Sequence, residues 1–140
     1  MPYIDTSVLV AYYCPEPLST SAQKTIRGRG VPAISPLVEL EFCSALAIKT
    51  RSGQLTKDAA QKLLSVFLMH LAEGQYRSVS IEAREYVVAR EWISSFSTPL
   101  RAVDALHLSA AFCNELVLVT ADKALSAAAE ALGVKYELLS

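Results

Sequence analysis

Two hydrophobic periods take turns along the chain. Short apolar runs of strand character stand at 2–5, 31–34, 76–80, 116–120 and 134–136. Between them, apolar residues recur every three or four positions, the spacing of one helix face. These stretches predict helices at 6–13, 19–28, 35–52, 56–73, 82–95, 98–114 and 122–132. The punctuation agrees. Thr6 or Ser7 can cap the first helix, and Pro15 and Pro17 end it. Ser35 before Pro36 is a cap followed by proline at the first helical position. Thr98-Pro99 reads as another helix start, and Gly53, Gly74 and Gly133 stand where helices stop. The run LVLVT at 116–120 is apolar without alternation, which suits a strand buried on both faces.

Strands alternating with helices predict an α/β fold. The expected form is a three-layer α/β/α sandwich around a mostly parallel sheet of about five short strands. Right-handed crossovers would put helices on both faces. No linker, repeat or change of composition divides residues 1–140, so they read as one domain. In open parallel sheets, sites form beyond the carboxyl ends of the strands. Asp5 closes the first predicted strand and Asp122 follows LVLVT by two residues, so both acids fall on that edge.

Composition narrows the class. With 52% hydrophobic and 19% charged residues the chain is not disordered. No apolar run reaches the roughly 18 residues of a membrane span. The start, MPYIDTSVLV, lacks the basic region of a signal peptide, so a soluble cytoplasmic protein is expected. The net charge of −1 excludes a uniformly basic surface and leaves room for a local basic rim. Cys14, Cys43 and Cys113 are widely spaced with no Cys-x-x-Cys, so neither zinc nor a redox motif is indicated. They read as reduced, mostly buried thiols.

The acids stand out by the company they keep. Asp5 lies between Tyr3-Ile4 and the apolar start of a helix, where its ordinary role would be a cap. Glu41, in a predicted helix, shares a face with Leu37, Val38, Ala45 and Ile48. A carboxylate in an apolar stripe is costly without a cation or hydrogen bonds, and its ordinary reading is a salt-bridged acid. Asp104 is crowded by Val103, Ala105, Leu106 and Leu108, and near a helix start it would also suit the dipole. Asp122 is an attractive cap for the Ala-rich helix after it. Four such acids, if they converge, repel by about 4 kcal/mol per pair at 4 Å and an effective dielectric of 20. A cluster of that kind persists when it serves a divalent cation. All-oxygen sites suit Mg²⁺ or Mn²⁺, which substrate phosphates complete, and that points to phosphodiester chemistry.

The ordered motifs YIDTSVLV (3–10), SPLVELEFCSAL (35–46), RAVDALHLSAA (101–111) and VTADKAL (119–125) resemble those of the PIN-domain family. More narrowly they resemble VapC-type toxin ribonucleases of bacterial toxin–antitoxin pairs, over residues 3 to 136. The resemblance implies a Mg²⁺- or Mn²⁺-dependent endoribonuclease. Carried over by position, Asp5, Asp104 and Asp122 would be direct or water-mediated metal ligands. Glu41 would hold the metal's water or act as base, and Thr6 and Thr120 would support the site through their hydroxyls. No motif acid is missing. The resemblance also implies a homodimer and a cognate antitoxin protein as partner, with RNA as substrate and no membrane.

Other residues are less pointed. His107, three residues after Asp104, reads as a structural histidine, because no second His or Cys stands at ligand spacing. His70 reads as part of a solvated helix face. Lys24, Arg27 and Arg29 form one basic cluster and Lys49, Arg51 and Lys57 another; ordinarily solvated, they are the candidates for RNA phosphate contacts. Tyr12, Tyr13 and Trp92 read as core or partner-interface residues, with base stacking as the other option. Two further readings stay open: a PIN nuclease in RNA processing or in a DNA-binding complex, and a non-catalytic α/β binding module. An aspartyl phosphohydrolase would need Asp-x-Asp where the chain has Asp5-Thr6-Ser7, and a receiver domain would need an acidic pair near Asp5.

Overall fold

Proline has no N–H to give a ladder, so inside a sheet it is confined to special places such as a strand's first residue. Pro2 takes that place in β1 (Pro2–Ile4), the middle strand of the sheet. The structure is a computed structural model and describes residues 1–28 and 30–140. Beside β1 lie β2 (Ala33–Ile34) and β4 (Val117–Thr120); outside them are β3 (Arg77–Ser78) and β5 (Tyr136–Leu138). The order is β3-β2-β1-β4-β5 and every pairing is parallel. The expected α/β sandwich with about five short strands is therefore the fold. The register Tyr3↔Leu118 and Ile4↔Val119 sets the ends of β1 and β4 side by side.

The helices are α1 (Thr6–Tyr13), α2 (Ser19–Gly28), α3 (Pro36–Arg51), α4 (Lys57–Ala72), α5 (Ala83–Ser94), α6 (Ala102–Cys113) and α7 (Lys123–Leu132). Ser35 caps α3 through Val38 N–H, with Pro36 at its first turn, and Thr56 caps α4. Gly133 ends α7 with φ of 73°, a left-handed conformation that glycine adopts without a Cβ penalty. Helix α5 packs on α6, and α1 packs on α2 and α3. Beneath α3 and α4 an aromatic cluster joins Tyr13, Phe42, Phe67 and Tyr76, with Phe42 and Phe67 ring centroids 4.9 Å apart. Among the described residues no helix is long and apolar enough to cross a membrane.

Several expected details shift. Asp5, not Thr6 or Ser7, caps α1, because the two hydroxyls are drawn to other acceptors. Helix α6 starts at Ala102 rather than near Thr98: Phe96 turns the chain with φ of 55°, and Arg101 is still extended. The last strand lies later than 134–136, because Val134 N–H closes the α7 terminus on the Ala129 carbonyl before pairing begins. The buried stripe of α3 is Val38, Phe42 and Leu46, so Glu41 flanks it and Ile48 is exposed. His70 is not a free surface histidine: its Nδ1 is 2.6 Å from Tyr13 Oη, which also lies 2.7 Å from Tyr76 Oη. Trp92 stacks edge-on against Phe112. Of the three free thiols only Cys14 is buried; Cys43 is exposed.

Candidate active site

The parallel pairing of β1 and β4 carries the chain directly into the site. Beyond Ile4, Asp5 N–H bonds the Val119 carbonyl, which leaves the Asp5 carboxylate beside Thr120. Thr120 Oγ1 donates to Asp5 Oδ2 at 2.8 Å, Ser7 Oγ donates to Oδ1 at 2.6 Å, and Val8 N–H reaches Oδ1 at 3.3 Å. The holders are themselves held: Ala121 N–H donates to Ser7 Oγ and Asp122 N–H to Thr120 Oγ1. Asp5 is only 4% exposed. Burial raises its pKa above the ordinary carboxylate value, against the pull of the Ser7 and Thr120 hydrogen bonds.

Glu41 is brought to the same edge from α3. Thr6, the residue after Asp5, donates its hydroxyl to Glu41 Oε1 at 2.7 Å. His107 Nε2 bonds the same oxygen. Burial pushes the Glu41 pKa up, but the hydrogen bonds from His107 and Thr6 outweigh it and hold the carboxyl below its usual range. Asp5 and Glu41 are thus two carboxylates of opposite tendency, one buried and one half-exposed, held by adjacent residues of one helix start.

Asp104 lies in the first turn of α6, one turn before His107. Its Oδ2 accepts from Arg101 Nε at 3.4 Å, and Arg101 is 85% exposed, so the pair is weak and easily parted. Asp122 caps α7, accepting from Ala124 N–H at 2.8 Å and Leu125 N–H at 3.3 Å. The ordinary reading of Asp122 as a cap is what its side chain does here. Asp122→Ala is expected to cost about 1 kcal/mol of stability, while Asp122→Asn keeps the cap. Thermal melting of the two variants separates capping from any loss of activity.

The donor set is all hard oxygen, which fits Mg²⁺ or Mn²⁺ in kind. Among the described residues no three His, Cys, Asp or Glu side chains are gathered into one set, because Asp104 is turned to Arg101 and Asp122 to its helix. The basic candidates stand apart from the acids. Arg27 Nε donates to Tyr12 Oη, and its guanidinium lies over the Tyr12 ring, at the end of α1 opposite Asp5. Lys49 Nζ donates to Gln54, and Arg51 is ten residues, about 15 Å, along α3 from Glu41. Lys24 lies on α2, and Arg29 is outside the described residues. Sequence reasoning missed Arg101, the cation nearest Asp104, and missed His107, Ser7, Tyr3 and Ser35 as parts of the site's hydrogen-bond framework. The one available signal was the three-residue spacing of Asp104 and His107, which sets both on one helix face.

A parallel five-stranded sheet with Asp5 and Glu41 held at the carboxyl edge of its inner strands defines an acid-edged α/β sandwich. Residues 3–131 match the PIN domain, and the chain belongs to that family. No curated protein matches it. The fold is shared with several solved structures. VapC20 from Mycobacterium tuberculosis, described as a sarcin–ricin loop cleaving toxin, superposes with a TM-score of 0.70 at 19% identity, covering 91% of this chain and 95% of that one. The VapBC2 structure from Rickettsia felis, bound to a promoter DNA fragment, gives 0.71 at 18% identity with both chains fully covered. PAE2754 from Pyrobaculum aerophilum gives 0.66 at 26% identity, covering 90% of this chain and 77% of that one.

Proposed function

We propose that the protein is a Mg²⁺- or Mn²⁺-dependent endoribonuclease, the toxin of a toxin–antitoxin pair. The observation that carries the reading is the pair Asp5 and Glu41, fixed at the carboxyl edge by Thr120, Ser7, Thr6 and His107 within a PIN domain. Asp5, Glu41, Asp104 and Asp122 would hold the ion. Bound there, it supplies Lewis acidity, making water more acidic and neutralising charge on the scissile phosphate. The chain's own part is to orient. Asp5 is locked by three donors, Glu41 is kept ionised as a base or water holder, and Thr6 and Thr120 fix the two carboxylates. Asp104, once released by Arg101, adds a third carboxylate, from α6, and Arg101 is then free to meet an RNA phosphate. Arg101→Ala is expected to raise KM for RNA several-fold with kcat little changed, measured by steady-state cleavage at fixed salt.

The test of the whole reading is cleavage of a structured RNA by the purified protein with Mg²⁺ or Mn²⁺, with EDTA as the negative arm. Protein that binds no divalent ion and cuts no RNA removes it. The antitoxin part is supported by relatives in fold that are VapBC and FitAB complexes. An acidic edge is a natural target for an inserted guanidinium, which pairs bidentately with carboxylates. An antitoxin Arg against Asp5, Asp104 or Asp122, and apolar antitoxin residues in a groove lined by the first helices, are expected. Co-expression with the neighbouring gene should relieve growth arrest; unrelieved arrest, or a complex with no contact near these acids, counts against the pairing. The same reading carries with it a cytoplasmic homodimer, checked by light scattering and cell fractionation.

A further inference from the structure

Behind Glu41 runs a chain of hydrogen bonds that passes through β1 and ends at the α3 cap. Ser35, Tyr3 and His107 are all buried. Val38 N–H donates to Ser35 Oγ at 3.3 Å, and the Ser35 hydroxyl, 2.7 Å from Tyr3 Oη, can donate to it. In the same direction Tyr3 Oη, 2.9 Å from His107 Nδ1, can donate to that nitrogen. With Nδ1 an acceptor, the ring proton sits on Nε2, and Nε2–H donates to Glu41 Oε1. One direction of donation satisfies every group in the series, from a helix-capping serine to a half-exposed carboxylate. Thr6 adds a second donor to the same Glu41 oxygen. Two donors on Oε1 fix the rotation of the carboxylate, and among the described residues Oε2 receives no hydrogen bond.

We propose that His107 is a positioning residue for Glu41, with Tyr3 and Ser35 holding its ring and its tautomer. This rests on the nuclease reading and adds to it a named support for one carboxylate. A histidine that merely filled the core would need any buried partner. Here the partner is the one site acid that α3 contributes, and the support comes from β1 and the α3 cap, so three elements converge on one oxygen. Supports of this kind, which touch a ligand but not the ion, set ligand orientation and typically change metal affinity or activity about 10–100-fold when removed.

The test uses the full chain and Mn²⁺ alone as probe, with titration calorimetry for affinity, thermal melting for the fold, and steady-state RNA cleavage. His107→Leu is expected to weaken Mn²⁺ binding and lower kcat about 10–100-fold, with KM for RNA little changed. His107→Gln, whose amide can donate from near the Nε2 position, is expected to restore most of both. Tyr3→Phe keeps the ring in the core and loses only the phenol, and is expected to give an intermediate loss. A His107→Leu protein with wild-type Mn²⁺ affinity and kcat overturns the proposal, as does a His107→Gln protein no better than His107→Leu. Where His107→Leu fails to fold, wild-type Mn²⁺ affinity and kcat in Tyr3→Phe overturn it. A wild type that neither binds Mn²⁺ nor cuts RNA overturns the nuclease reading and this proposal together; a wild type that does both beside an indifferent His107→Leu overturns this proposal alone.

Discussion

Alanine at Asp5 or Asp104 is expected to abolish RNA cleavage, and the two losses should differ in their side effects. Removing one group that stabilises developing charge in a pre-organised site lowers kcat by about 10²–10³-fold. A lost metal ligand belongs at the upper end, since water activation and charge neutralisation go together. Asp5 is also a structural group: its loss leaves the Ser7 and Thr120 hydroxyls and Val8 N–H without their acceptor and uncaps α1. Asp5→Ala should therefore melt lower, by about 1 kcal/mol or more. Asp104 is held only by an exposed arginine at 3.4 Å, so Asp104→Ala should be inactive with a nearly unchanged melting point. Cleavage rates and thermal melts of the two variants check both halves. Activity that survives EDTA, or that survives Asp104→Ala, ends the metal mechanism.

Asp5→Asn should do the opposite of Asp5→Ala to stability while still destroying activity. Asparagine caps a helix as well as aspartate, its Oδ1 can keep the Ser7 and Val8 bonds, and its amide can donate to Thr120 Oγ1. What it sheds is the penalty of a buried charge. Burial raises the Asp5 pKa above its ordinary 3.8, so the folded protein binds that proton more tightly than the unfolded chain. The group therefore favours folding when protonated, at pH below that ordinary value. The advantage is lost as pH rises through the raised value of the folded state. At neutral pH without metal, wild type carries this penalty and Asp5→Asn does not. A relief of about 1–2 kcal/mol would raise the melting point by several degrees in a domain of this size. Melting in EDTA across pH 4 to 8 should show the two proteins converging at the acid end and separating towards neutrality. Adding Mg²⁺ should then stabilise wild type more than the variant. Asp58→Asn, on the exposed face at the start of α4, is the control and should change little. An Asp5→Asn protein that melts below wild type at neutral pH would make Asp5 a structural acid only.

What could be read from the chain was local or periodic. Ser35 with Pro36, Thr56, Gly133 and the unbroken LVLVT run each act within a few residues, and each stands where it was expected. Both acids that end inner strands were legible because strand ends decide where sites form in parallel sheets. The role of His107 was not legible. Its partners Tyr3 and Glu41 are 104 and 66 positions away, and only the pairing of distant elements brings them to its two nitrogens. Glu41 was misplaced by one helix row, since Phe42 takes the buried line and turns the carboxylate to its flank. Helix α6 starts later than the Thr98-Pro99 signal suggests, because Arg101 is still extended and only Ala102 enters the helix.

The hydrogen bond from Thr120 to Asp5 joins residues 115 positions apart, and β1, which can pair with β2 early, gains its other neighbour only when β4 lies beside it. While the chain is being made, Asp5 must therefore wait for Thr120. At about 5–20 residues per second that wait is roughly 6–23 seconds. Over that interval Asp5 lacks its Thr120 donor and the carboxyl edge of β1 and β4 is not assembled. Whatever chemistry the acid edge carries is therefore absent until β4 has docked beside β1. A partner that captured α1 before then would meet the chain harmless.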